Sequence, residues 1–268
     1  MKKRKILSGN DTYFLAVTAD KIIVNDNYQG LIILNSDLEV IRYLKIIDEL
    51  IIYSSFCCGE YLVLYCPDVN QLISIDLNTY HYLQFNIEEF SEITFSPVYW
   101  YNKGQLILSD YQDLLVEFNL RNGEVHRTNT EAIQMKNALF YQICALQKQY
   151  PILKLDWENK TIITSREGNI CFEKIANNKI FPLASFKQDC VHDYECMGDI
   201  EMMISETDIG VYRETAEIDH YLIDQDHSFL CAKFQQGGNT LNIIILNGSK
   251  NMDNVDYLEK RYICKMEL

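Results

Sequence analysis

The densest group of potential metal ligands is the segment Cys190-Val-His-Asp-Tyr-Glu-Cys196. Thiolate, imidazole and carboxylate groups this close together are ligands that zinc accepts. The segment also reads as an innermost β-strand, whose alternation places Cys190, His192 and Cys196 on one side and Asp193 on the other. Same-side neighbours on a strand are about 6.6 Å apart, further than suits two ligands of one tetrahedral ion. We therefore expect no metal site and no cofactor, with Cys190, His192 and Cys196 as the alternative ligands.

A second group of residues that could take part in catalysis is Asp224-Gln-Asp226-His227. It contains the residue types used in general acid–base catalysis. The same residues are equally typical of a solvated loop. The chain has no GxSxG, P-loop, GxGxxG, HExxH or CxxC motif. The sequence therefore favours a protein without catalytic activity, and an enzyme remains the alternative.

Acidic residues outnumber basic ones by 38 to 24, which gives a net charge of −14. Nucleic-acid backbones and anionic lipid surfaces would be repelled by this charge, whereas a basic protein would be attracted. No apolar stretch approaches the roughly 20 residues that cross a bilayer, and the start, MKKRKILSGNDTYF, lacks the apolar core of a signal peptide. Most of the nine cysteines lie in apolar runs, as expected in a reducing compartment. We expect a cytoplasmic protein with a basic protein partner.

A strand–turn–strand unit recurs along the chain, and its clearest copy is QLILSDYQDLLVEFNLRNGEV, residues 105–125. Successive copies place a polar turn at Asp26, Asp68, Asp110, Ser165 and Ser205, with a weaker sixth turn near Gln236. The first five turns are 42, 42, 55 and 40 residues apart. An apolar strand precedes each of these five copies, so each unit has four strands, A to D.

Four strands with a period in the forties are typical of a β-propeller blade. Over nearly the whole chain the pattern resembles WD40-type propellers at the level of fold, although the Trp-Asp dipeptide is replaced by IDL, FNL and FEK. The resemblance implies an all-β, single-domain propeller spanning 1–268. We expect about six blades, with strands from both chain ends sharing the last one. Five blades with an irregular C-terminal unit are the alternative.

The spacing of 55 residues contains a segment with helical periodicity. Ala132, Met135, Leu139, Ile143 and Leu146 recur at steps of three and four, and most residues here are good helix formers. Asn129 or Thr130 can cap its start. We expect a helix at 131–148, inserted between the third and fourth blades.

Strands alternate in direction, so the B–C turns and the D–A connections open on the same face of a propeller. Acidic and tyrosine side chains on this face form the candidate partner-binding surface: Asp26, Tyr28, Asp68, Glu88, Glu89, Asp110, Tyr111, Asp113, Glu131, Glu206 and Asp208.

This surface favours a non-catalytic protein-binding propeller that docks a basic partner, such as an inhibitor or immunity-type protein. One alternative is a hydrolase or lyase acting on a small molecule or glycan in the central channel. Another is a structural scaffold whose helix mediates homo-oligomers.

Overall fold

The computed structural model of the chain describes residues 3–7, 11–90, 98–109, 115–128, 137–188, 190–223, 227–249 and 261–268. These residues form six four-stranded antiparallel sheets and one α-helix. The chain divides into two compact units. Unit 1 comprises Met1–Ile51 and Asp189–Leu268, and unit 2 comprises Ile52–Gln188. Each sheet corresponds to one blade.

Unit 1 contains blades 1, 5 and 6. Blade 1 consists of β2 (Phe14–Val17), β3 (Lys21–Asn25), β4 (Leu31–Asn35) and β5 (Val40–Leu44). Blade 5 consists of β18 (Asp193–Met197), β19 (Ile200–Ile204), β20 (Asp208–Arg213) and β21 (Ala216–Leu222). Blade 6 consists of β22 (His227–Gly237), β23 (Thr240–Ser249), β24 (Arg261–Glu267) and β1 (Lys3–Ile6).

Unit 2 contains blades 2, 3 and 4. Blade 2 consists of β6 (Ser54–Cys58), β7 (Tyr61–Cys66), β8 (Gln71–Asp76) and β9 (Tyr82–Asn86). Blade 3 consists of β10 (Tyr99–Asn102), β11 (Gln105–Ser109), β12 (Leu115–Asn119) and β13 (Val125–Thr128). Blade 4 consists of β14 (Ile152–Asp156), β15 (Thr161–Arg166), β16 (Asn169–Ala176) and β17 (Lys179–Lys187).

The two middle strands of a blade are almost continuously apolar because both of their faces are covered. In blade 1, β3 buries Ile22, Ile23 and Val24, and β4 buries four consecutive residues from Leu31. The outer strand β5 instead exposes its three central residues. Burying one such aliphatic side chain contributes about 1.5–3 kcal/mol, so the B and C strands carry most of each blade's stability.

Blade 6 differs from the alignment on which the sequence prediction rests. That alignment takes residues 228–248 as strands B and C, with the B–C turn near Gln236. In the structure β22 lies beside the inner strands β18 and β2, and the Ala232 N–H donates to Asp193 Oδ2 at 3.4 Å. Strands β22 and β23 are therefore A and B, β24 is C, and β1 pairs with β24 as D. The sixth blade is complete, so the alternative of five blades is wrong.

The B–C turn of blade 4 also lies two residues beyond its predicted position at Ser165. Strand β15 continues through Arg166, and Ser165 pairs with Ile170. The turn residues are Glu167 and Gly168, with φ of +49° and +78°. Two consecutive left-handed residues form the tight hairpin turn, whereas a serine at Ser165 is compatible with an extended strand.

Within each unit, the hydrophobic core lies between neighbouring blades. In unit 2 the rings of Phe85 and Phe118 join blades 2 and 3, with centroids 5.6 Å apart and planes at 90°. In unit 1, Phe229 and Met202 belong to a cluster between blades 5 and 6. The edge-to-face geometry in unit 2 is the favoured arrangement for an aromatic pair and fixes the spacing of its two blades.

The helix α1 (Ala138–Gln147) packs against blades 3 and 4 of unit 2. The Asn137 side chain caps it by accepting from the Phe140 N–H at 3.0 Å, and Leu139, Phe140 and Ile143 are buried. The prediction of a helix ending near 148 agrees with this element. The predicted helical positions 131–136 and the predicted caps Asn129 and Thr130 lie outside the described residues.

Candidate binding surface

In four blades, the B–C turn and the D–A connection are joined by a backbone hydrogen bond. The N–H donors and carbonyl acceptors are Leu50 to Tyr28 (2.9 Å), Ile87 to Asn70 (2.9 Å), Gln188 to Gly168 (3.0 Å) and Ile223 to Thr207 (3.0 Å). Turn and connection are thus neighbours at one end of blades 1, 2, 4 and 5. Side chains from the two segments form one local surface at each of these ends.

At this end of blade 1 lies a cavity of about 920 Å³. Its walls come from the B–C turn, including Asp26 and Tyr28, and from the end of β5 and the following connection, including Tyr43, Asp48 and Glu49. We call it the blade 1 cleft. Asp26 and Tyr28 are two of the residues predicted for the binding surface, and both line this cleft. Tyr43 was missed, because a tyrosine on an outer strand carries no signal that it faces a cavity.

The turn approaches β5 closely because one position is a glycine. Gly30 has a φ of +132°, and a Cβ atom there would lie 2.3 Å from the Leu44 carbonyl oxygen. Asn27 and Tyr28 in the same turn also have positive φ, at +44° and +67°. This tight turn sets the position of the cleft wall.

The electrostatics of the cleft are acidic. Burial raises the pKa of Asp26, and its carboxyl group has no side-chain partner within the described residues. Lys45 Nζ and Asp48 Oδ1 form an ion pair at 2.5 Å, with 69% and 83% of the two side chains exposed. The Tyr28 hydroxyl donates to the Asp11 carboxylate, and this hydrogen bond raises the pKa of Tyr28. The cleft thus holds three carboxyl groups and one ammonium group.

The candidate acids of blade 5 have different surroundings. The Asp208 carboxylate accepts hydrogen bonds from the hydroxyls of Ser205 and of Thr207 in its own turn. Its role is therefore to hold that turn. Glu206 is exposed, and its carbonyl accepts from the Phe229 N–H at 2.9 Å. Glu206 is thus the carboxylate of this turn that faces solvent.

In unit 2 the described candidates lie at the end of blade 2. Asp68, in the 3₁₀ turn Pro67–Val69, is exposed and accepts a hydrogen bond from the Tyr53 hydroxyl, which raises the pKa of Tyr53. Glu88 and Glu89 are exposed in the D–A connection. Four further candidates, Asp110, Tyr111, Asp113 and Glu131, lie outside the described residues, as do Asp224 and Asp226.

The potential zinc ligands lie in different environments. Strand β18 begins at Asp193 rather than at Cys190, and Cys190 has a left-handed φ of +63°. Cys190 is exposed, Cys196 is buried, and His192 Nε2 lies 3.1 Å from the Leu230 carbonyl oxygen. Among the described residues no group of three or more His, Cys, Asp or Glu side chains is placed to hold a metal ion.

A charged cluster that the sequence pattern did not predict lies between the inner strands of unit 1. Lys233 Nζ of β22 lies 2.9 Å from Glu195 Oε2 of β18, and only 6% of the Glu195 side chain is exposed. Burial alone lowers the pKa of Lys233, but the carboxylates of Asp193 and Glu195 outweigh it and raise the pKa. Burial raises the pKa of the neighbouring Cys231 thiol to about 12. An ammonium and a thiol held protonated are poor nucleophiles, so this cluster is suited to joining the strands rather than to catalysis.

Glu201 is a buried acid. It is fully buried on β19, and neither carboxylate oxygen has a side-chain hydrogen-bond partner among the described residues. Burial, with a smaller contribution from Asp199 and Glu214, raises the pKa of Glu201 to about 7. The neutral acid is therefore the form that the fold favours.

We expect Glu201→Gln to raise the free energy of unfolding by about 3 kcal/mol at pH 8 and by clearly less at pH 5. The folded pKa lies above the unfolded one, so the wild-type contribution is fully present below the unfolded pKa and is lost as the pH rises through about 7. Urea denaturation across this range measures the difference. Glu267→Gln at an exposed strand end is the control. If the gain in unfolding free energy of the Glu201 variant did not depend on pH, the raised pKa of Glu201 would be contradicted.

Within the described residues, no helix has the length and apolar character needed to span a bilayer.

Comparison with known proteins places the chain by fold alone. No protein-family model and no curated protein matches the sequence. Among solved structures, the chain is similar to the β-propeller domain of Cps50 (Swd1) from Myceliophteria thermophila, with a TM-score of 0.62, 8% identity and coverage of 99% of both chains. It is also similar to virginiamycin B lyase from Staphylococcus aureus, with a TM-score of 0.48, 10% identity and coverage of 99% and 100%.

The six four-stranded blades and the first of these similarities confirm the predicted fold. The chain is a six-bladed β-propeller, WD40-like at the level of fold.

Proposed function

We propose that the protein is a non-catalytic binding propeller that docks a basic protein partner at the B–C and D–A ends of its blades. The observation that carries this proposal is the blade 1 cleft, where three carboxyl groups and two exposed tyrosines surround a cavity of about 920 Å³. Protein-binding sites are enriched in exposed tyrosine, and carboxylates select a cationic partner. The corresponding ends of blades 2 and 5 also expose carboxylate groups, those of Glu88, Glu89 and Glu206.

The net charge of −14 supports the proposal through association kinetics. An acidic protein attracts a basic partner over a distance of about one Debye length, roughly 8 Å at physiological salt. The specific contacts of the cleft then determine the lifetime of the complex. An inhibitor or immunity-type role for a basic effector is the narrower form of this proposal. The cytoplasmic location and the single-domain organisation stay predictions.

The proposal is tested by affinity purification from the native host at low salt, with a matched pair of variants. Asp48→Lys with Glu49→Lys reverses two charges at the cleft. Asp20→Lys with Asp37→Lys makes the same charge change at the opposite end of the same blade. We expect retention of a basic partner to fall about tenfold or more for the cleft variant and to stay near wild type for the control.

Salt provides the second readout. Roughly 0.5 M salt should release the partner from the wild-type protein, because screening shortens the range of exposed charges. Equal retention by both double variants would show that net charge, rather than the cleft, attracts the partner. A partner that stays bound at high salt to the cleft variant would overturn the proposal.

A further inference from the structure

Asp26 gives the blade 1 cleft a partly buried carboxylate. It is half-buried at the start of the B–C turn, and its carboxyl group has no side-chain partner within the described residues. A partly desolvated carboxylate gains more from a charge-assisted hydrogen bond than a fully exposed one. The cleft therefore offers its strongest interaction to a cationic group that reaches past the rim.

Aromatic rings supply a second kind of contact for such a group. Tyr28 is 43% exposed and Tyr43 is 65% exposed, and both line the cleft. The Tyr28 hydroxyl is held by Asp11, which restricts the ring. A planar guanidinium stacks on tyrosine faces and donates to a carboxylate at the same time, whereas a lysine ammonium is a compact and strongly hydrated charge.

The rim of the cleft already contains a cation from the chain itself. Lys45 pairs with Asp48, but both side chains are mostly exposed, and an exposed pair contributes only about 0.2–1 kcal/mol. An incoming cation would compete with Lys45 for Asp48 at little cost. Lys45 thus lowers the affinity of the cleft for a second positive group but does not prevent its binding.

We propose that the blade 1 cleft binds an arginine side chain of the protein partner, with Asp26 accepting from the guanidinium, Tyr28 and Tyr43 stacking on it, and Lys45 as its internal competitor. This inference rests on the proposed function and specifies the chemistry of its central contact.

Titration with capped tripeptides, followed by ¹H–¹⁵N NMR, tests the inference. The probes are acetyl-Gly-Arg-Gly-amide and its lysine and citrulline analogues, citrulline having the shape of arginine without the charge. We expect saturable shifts confined to residues 26–31 and 43–49 for the arginine peptide, with binding at least about fivefold weaker for lysine and for citrulline. Equal binding of arginine and citrulline, or no saturable shift in these residues, would overturn the inference.

Three variants assign the roles of the side chains. Asp26→Asn should weaken arginine binding about tenfold, and Tyr43→Ala should weaken it about threefold. Lys45→Gln should strengthen it about twofold to fivefold, an effect that a damaged fold cannot imitate. The spectra report whether each variant is folded. Unchanged affinity in all three variants would contradict the assignment.

The two proposals fail in different ways. If charge reversal at Asp48 and Glu49 releases the partner but the arginine peptide does not bind, the docking function stands and the arginine contact is wrong. If the peptide binds as expected but partner retention is insensitive to charge reversal, the cleft binds arginine without being the docking site.

Discussion

Replacement of Lys233 by methionine should lower the free energy of unfolding by about 3–5 kcal/mol at pH 7. Methionine keeps most of the apolar stem but removes the ammonium that lies 2.9 Å from Glu195. The carboxylates of Asp193 and Glu195 then remain between the inner strands without their cation. Urea denaturation at pH 7 measures the loss.

A second substitution distinguishes charge from packing. Adding Glu195→Gln to the Lys233 variant should recover part of the lost stability, because the amide carries no unpaired charge. A loss below about 1 kcal/mol, or no recovery in the double variant, would contradict the structural role of the cluster.

The second large effect is expected for Gly30→Ala, which should lower the free energy of unfolding by about 3–5 kcal/mol and distort the blade 1 cleft. The added Cβ would lie 2.3 Å from the Leu44 carbonyl oxygen and 3.1 Å from the Lys45 Cα. These are backbone atoms, and Leu44 is paired with Leu31 in the sheet. They cannot withdraw without breaking the strand pairing.

Gly123→Ala is the matched control for this prediction. Gly123 also has a positive φ, +82°, but nothing lies within 4 Å of the Cβ that would be added. Its substitution should cost only about 1 kcal/mol, the conformational part of the penalty. Urea denaturation of both variants separates the penalty of a positive φ from the penalty of the steric clash at Gly30. Equal losses of unfolding free energy in the two variants would show that the close approach of Gly30 to β5 adds no penalty to that of the positive φ.

The features that the sequence predicted correctly are those that repeat. Polar turns such as Asp26 and Asp68 separate apolar runs at a constant period, and this pattern determines the blade whatever its neighbours are. The topology then places turn and connection at one end of a blade, which made Asp26 and Tyr28 candidates. These inferences need only local pattern and chain direction.

The features that the sequence did not predict depend on register between separate elements. Lys233 forms an ion pair with Glu195 because β22 lies beside β18. The spacing of these residues in the sequence does not indicate that the two strands are neighbours. Strand β22 was itself assigned to the wrong position, because no clear apolar strand precedes it. Tyr43 is exposed on an outer strand, where propensity alone does not decide whether a side chain faces a neighbour, solvent or a cavity.

The pairing of β1 with β24 has a consequence for how the protein folds. Lys3 pairs with Lys265, so β1 is synthesised long before β24, the strand with which it pairs. Until the two strands pair, β24 presents an unpaired edge, and β1 has no sheet to join. Contacts this distant in sequence form slowly, because the loop entropy must be overcome before the contact is gained. Completion of blade 6 is therefore expected to be a late kinetic step, during which the open edge is available to other strands.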